Sequence, residues 1–75
     1  MSVSELSKSN EGRYFEFTFS DKEVTVGKLL TINSDTGEFI YEMSSTSEPK
    51  RYHNLHGKYS ALLADLSDAR LLDRD

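Results

Sequence analysis

From Tyr14 to Phe19 apolar and polar side chains alternate, with Phe15, Phe17 and Phe19 in one parity and Tyr14, Glu16 and Thr18 in the other. That is the period of a strand with one face buried and one face wet. The spacing predicts a first strand over about Arg13 to Ser20, and Ser20-Asp21-Lys22-Glu23 then supplies a polar reversal. The next run, Glu23 to Asn33, carries Val24, Val26, Leu30 and Ile32 in one parity, broken by Lys28 just after Gly27. The expectation is a long second strand that turns those four residues to the core and bends at its glycine, as strands do at bulges. Asn33-Ser34-Asp35-Thr36-Gly37 reads as a hairpin loop in which Gly37 takes the positive φ, leading into a third strand from about Glu38 to Ser44.

Beyond Ser44 the chain is polar as far as Pro49, its single proline, so a loop is expected there and then a short edge strand over Lys50 to His53. From Leu55 the spacing changes. Leu55, Tyr59, Leu62, Leu63, Leu66 and Ala69 fall on one helical stripe, with Asn54 as N-cap. Gly57 weakens the first turn by roughly 1 kcal/mol relative to alanine, which moves the expected helix start towards Lys58. The fold class predicted is therefore α+β: an antiparallel meander of three or four strands, curved or half-barrel, packed on one C-terminal helix. Residues 1–12, rich in Ser, Asn, Glu and Gly, read as a flexible tail, and residues 13–75 as a single small domain.

Composition narrows the chemistry. With 75 residues and no cysteine, the chain has neither disulfides nor thiolate metal sites to reinforce a small core, so dimerisation would add needed burial. The N-terminus lacks a basic start followed by an apolar stretch, and no run approaches the roughly 20 apolar residues of a membrane span, so a soluble, cytoplasmic protein is expected. A formal net charge of −4 counts against general phosphate-backbone binding.

Asp35-Thr36-Gly37 matches the short motif in which aspartic proteases pair two carboxylates, but it sits where a hairpin turn is predicted, and the turn reading is preferred. His53 and His56 are spaced to share a metal, yet no cysteine or nearby acid completes a ligand set. Neither a nucleophile elbow nor a phosphate loop is present. No cofactor, no metal and no enzymatic activity are expected.

Charge is unevenly placed. Lys50, Arg51, His53, His56 and Lys58 form a basic island interleaved with Tyr52 and Tyr59, the pairing of cations with flat rings that single-stranded nucleic-acid binders use. Arg13-Tyr14-Phe15 on the first strand and the leucine-bearing C-terminal segment give an order of strands then helix. In topology this resembles small transcriptional-coactivator domains that bind single-stranded DNA as dimers, although this chain lacks their basic strands. Against that alternative stands an apolar set expected on the surface. Tyr14, Leu29 and Ile40 point away from the predicted helix, and Leu71 and Leu72 either lie on the helix side opposite the core or, if the helix ends near Ser67, fold back onto the core. The leading expectation is a small acidic, non-enzymatic module that binds a partner protein as regulator or inhibitor, of the size and acidity of phage-encoded inhibitors, and that forms a homodimer through this set.

Overall fold

Alternation does organise the first half of the chain. The computed structural model describes residues 6–72, and in it Tyr14–Phe19 forms β1, Val24–Asn33 β2 and Glu38–Thr46 β3. Each pairs antiparallel with the next. Phe15 and Phe17 are fully buried on β1, as are Phe39, Tyr41 and Met43 on β3. The Asn33 side chain accepts the backbone N–H groups of Asp35 and Thr36, and Gly37, at φ 78°, donates its N–H to the Asn33 carbonyl. Asp35 thus belongs to an Asx-type turn. Lys22, also at φ 78°, takes the corresponding left-handed position in the β1–β2 reversal.

The predicted C-terminal helix is absent, and the α+β assignment gives way to an almost wholly β architecture. Lys58–Leu62 is a strand, β4, and Leu66–Leu71 is another, β5, joined by a single 3₁₀ turn at Leu63–Asp65. The strand predicted at Lys50 to His53 is likewise replaced by a 3₁₀ turn at Pro49–Arg51. Helix and strand readings of the C-terminal segment share four of the six residues expected to face inward, whereas Leu55 and Leu62 are exposed. Tyr59, Leu63, Leu66 and Ala69 lie on the helical stripe, and the same four pack into or against the core here, joined by Ala61 and Leu71. A bulge where β5 meets Thr18 and Phe19 allows Leu66 and Ala69, three apart, to face the same way. Local propensity favours a helix in this alanine- and leucine-rich stretch. Pairing overrides it, because β1 and β3 would otherwise present open edges, and β5 and β4 satisfy them. Without a helix, the topological resemblance to the coactivator domains lapses.

The resulting sheet has the order β4-β3-β2-β1-β5. Strands consecutive in sequence thus occupy opposite edges. In a flat sheet those edges would lie about 19 Å apart, yet the chain from Leu62 to Leu66 spans at most about 14 Å. The sheet must curl into a partly open barrel. Gly27 makes the curl feasible: the β2–β3 register shifts between Val26 and Gly27, and a Cβ on Gly27 would lie 2.6 Å from the Glu42 carbonyl oxygen.

That shift leaves Ser44 as the extra residue on β3, whereas a second, between Leu29 and Thr31, leaves Leu30 as the extra residue on β2, so the inward parity of β2 is opposite to the expected one up to Leu29 and returns to it at Ile32. Thr25, Leu29 and Ile32 are buried, whereas Val24, Val26 and Leu30 are only half-buried. Hydrophobicity ranked Val24 and Val26 above Thr25, but the bulges set which side faces in. The tail reading also changes from Leu6 onward. Leu6 joins the core, Glu11 accepts the Ile32 N–H through Oε2 at 3.0 Å, and the Gly12 N–H donates to the Leu29 carbonyl. Residues 1–5 lie outside the described residues. Among those described, no helix is long and apolar enough to cross a membrane.

Candidate functional site

Aromatic rings form a continuous path from the barrel centre to its surface. Phe15 stacks on Phe17, with ring centroids 5.7 Å apart; Phe17 meets Phe39 at 5.1 Å and Tyr41 at 5.5 Å. Tyr41 then contacts Tyr59 at 6.3 Å, and Tyr59 meets Tyr52 edge-to-face at 5.0 Å. Cross-strand register places the outer rings, since Tyr59 on β4 lies directly opposite Tyr41 on β3. The path ends in a groove of about 330 Å³ where the curled sheet leaves β4 apart from the β1–β2 turn. Phe19, Tyr41, Tyr52 and Tyr59 supply its rings, and Asp21, Glu23 and Asp65 its carboxylates.

Glu23 is the structural anchor of this groove. It is 4% exposed, and a buried carboxylate is tolerated only when its oxygens are satisfied. Here they are saturated. Arg51 donates to Oε1 at 3.0 Å, while Tyr52 donates its hydroxyl to Oε2 at 2.7 Å. Thr46 also donates to Oε2, and the Thr25 hydroxyl lies 3.3 Å from the same oxygen. The same Arg51 nitrogen reaches Asp21 at 2.6 Å, so one guanidinium bridges two acids and ties the 49–52 segment to the first reversal.

These bonds set the protonation of their neighbours. The Arg51 hydrogen bond, reinforced by the Glu23 N–H, holds the Asp21 carboxyl below its ordinary range. Burial, and then donation to Glu23, push the Tyr52 hydroxyl well above the usual tyrosine value. Burial and the nearby Glu23 charge raise Tyr41 as well. Both hydroxyls therefore stay protonated across the neutral range, and Tyr52 acts as a donor. Asn54 accepts the Tyr59 hydroxyl through its backbone carbonyl. Tyr52 and Tyr59 accordingly offer ring surface to the groove while their polar tips are engaged elsewhere.

The residues expected to bind partners are redistributed. Leu29 is fully buried, and Leu71, opposite Phe15 on β5, packs against the core; neither belongs to an outward face. Tyr14 and Ile40 are half-buried, on β1 and β3 with β2 between them, and Lys28 lies directly opposite Tyr14. Leu72 is half-buried and donates its N–H to the Tyr14 carbonyl. The set does not form one contiguous patch.

The basic island is similarly divided. Arg51 is paired with Asp21 and Glu23, and Tyr52 with Glu23. Lys50 and His53 are exposed around the Pro49–Arg51 turn, and His56 donates its backbone N–H to the Asn54 side chain. Lys58 lies opposite Glu42 across the β3–β4 pair, in the parity opposite to Tyr59. Among the described residues, no group of three or more His, Cys, Asp or Glu side chains could hold a metal.

Sequence reasoning missed Glu23 as a centre because it reads as one more acid in a polar turn. Three of its four donors come from 23 to 29 residues away. The one local signal is that Glu23, Thr25 and Gly27 share a parity with Leu29, which only the bulges reveal as inward. No known protein family and no curated protein matches this chain.

Proposed function

We propose that the protein is a small acidic binding module that acts on a partner protein in the cytoplasm, as a regulator or inhibitor, through the groove beside Tyr52 and Tyr59. The observation that carries this reading is the exposed end of the aromatic path. Rings half-buried beside a surface groove combine large contact area with little side-chain entropy to lose, and such residues dominate binding energy at protein interfaces. The groove's buried carboxylate already accepts from Arg51, Tyr52 and Thr46, which supports a structural part for it beneath a binding surface. A rigid, saturated base beneath exposed rings is a recognition surface. Its fixed geometry is supplied by β4 on one side and the Glu23–Arg51–Asp21 link on the other.

The test is site-specific photo-crosslinking in the native cell from position 60, on the groove's β4 wall. The expected result is capture of a protein, lost when Ala61→Trp fills the groove. Capture of nucleic acid instead would overturn this reading in favour of the basic island.

A further inference from the structure

We propose that the groove receives an arginine side chain from an extended segment of the partner protein. This inference rests on the protein-binding reading above and names the chemistry that the groove selects. Charge gives the first argument. Asp21, Glu23 and Asp65 line the groove, and among the described residues the guanidinium of Arg51 is the cation paired with the first two. Three carboxylates against one guanidinium leave the groove with a formal charge of −2, and Asp65 as its unpaired acid. Asp65, in the 3₁₀ turn between β4 and β5, has no side-chain hydrogen bond or ion pair among the described residues. Its only bond in the site is through its backbone carbonyl, which accepts from the Ser20 N–H and holds it at the groove floor.

The rings give the second, independent argument. With the Tyr52 hydroxyl donated to Glu23 and the Tyr59 hydroxyl donated to the Asn54 carbonyl, what the groove offers beside its carboxylates is aromatic ring surface and the neutral hydroxyls of Ser20 and Ser60. Aromatic rings carry negative potential on their faces and attract cations. A guanidinium is the cation that matches both features, because its plane stacks on a ring while its fork of N–H groups meets a carboxylate side-on. Arg51 already pairs with two of these carboxylates from within the chain, through one of its nitrogens. The volume, about 330 Å³, is at the small end for ligand sites, which fits one long side chain and adjoining backbone rather than a cofactor.

The experiment is an amide-resolved NMR titration of the intact chain with the capped peptide Gly-Ser-Arg-Ser-Gly, alongside the same peptide carrying citrulline, its neutral isostere. Saturable shifts are expected at Ser60, Ala61, Asp65 and the 52–54 backbone, with a dissociation constant on the order of 1 mM. Citrulline should weaken binding at least roughly tenfold, added salt should weaken it further, and Asp65→Asn should weaken it roughly threefold to tenfold. Asp65 is exposed, so that variant should keep the wild-type spectrum. Tyr59→Phe should bind like the wild type, since only the ring is used, whereas Tyr59→Leu should not bind. Equal affinity for the arginine and citrulline peptides, or shifts centred on the outer sheet face, would overturn the arginine assignment. If crosslinking from position 60 still captured a protein in that case, the protein-binding reading would stand without it; capture of nucleic acid would remove both.

Discussion

Glu23 shows how much one residue can organise in so small a molecule. A lone carboxylate taken out of water is costly, and this one is retained because four donors from three segments converge on it. Removing it strands those donors and uncouples Arg51 from the sheet. Glu23→Ala should destabilise the domain by about 2 to 5 kcal/mol, because the Tyr52 and Thr46 hydroxyls lose their acceptor at about 1 to 3 kcal/mol each. Glu23→Gln keeps the shape and one acceptor oxygen but turns an amide N–H₂ towards a donor, and should cost about 1 to 3 kcal/mol. Urea unfolding of the two variants tests the ranking. A Glu23→Gln protein as unstable as Glu23→Ala would mean that the charge, rather than the acceptor set, carries the contribution.

At the scale of elements, the glycine within β2 has a role no other residue can fill. Gly27 lies opposite Phe15 on one neighbour strand and Met43 on the other, at the bulge where the sheet curls. Adding a methyl group would set it against backbone, the Glu42 carbonyl at 2.6 Å, which cannot swing aside as a flexible side chain could. Gly27→Ala should therefore destabilise by about 1 to 3 kcal/mol through overpacking, despite alanine's lower cost in unfolded-chain entropy. Thermal or urea unfolding reports the sign directly. A neutral or stabilised variant would show that β2 and β3 can separate locally without disturbing the barrel.

For the whole molecule, the same network predicts how stability responds to pH. Tyr41 and Tyr52 have hydroxyls whose pKa is raised in the folded state by burial, with Glu23 adding to both. Their contribution is fully present below the ordinary tyrosine value of about 10 and is lost as pH climbs through the folded values, because the unfolded chain ionises first. Asp21 works in the opposite sense. Arg51 lowers its pKa, so that contribution is present above the ordinary aspartate value of about 4 and is lost as pH falls below it. A stability plateau between these limits is expected, followed across a pH series by urea midpoints. Tyr52→Phe should shallow the alkaline loss, and Asp21→Asn should shallow the acid loss, each leaving the other limb unchanged. An unaltered alkaline limb in Tyr52→Phe would place the alkaline loss elsewhere.

Alternation at Phe15 and Phe17, the Asn33–Gly37 turn and the break at Gly27 were legible because each is a local consequence of side-chain period or backbone freedom. Residues 58–71 were not legible as strands. Their spacing satisfied a helix and two short strands alike, and only the open edges of β1 and β3 decided between them. The inward parity of β2 was hidden by the shift between Leu29 and Thr31, which lets Thr25 and Leu29 face the interior in one parity and Ile32 in the other. The groove was least visible of all. Its acid lies in the first reversal, its cation and one ring in the 49–52 segment, and its other wall on β4. The sequence by itself determined the strand-forming first half, its turns and its acidic balance, because those depend on neighbours along the chain. Tertiary structure decided the second half, the burial of Glu23 and the groove, because these depend on which strand edges must be paired and which distant donors must meet a buried charge.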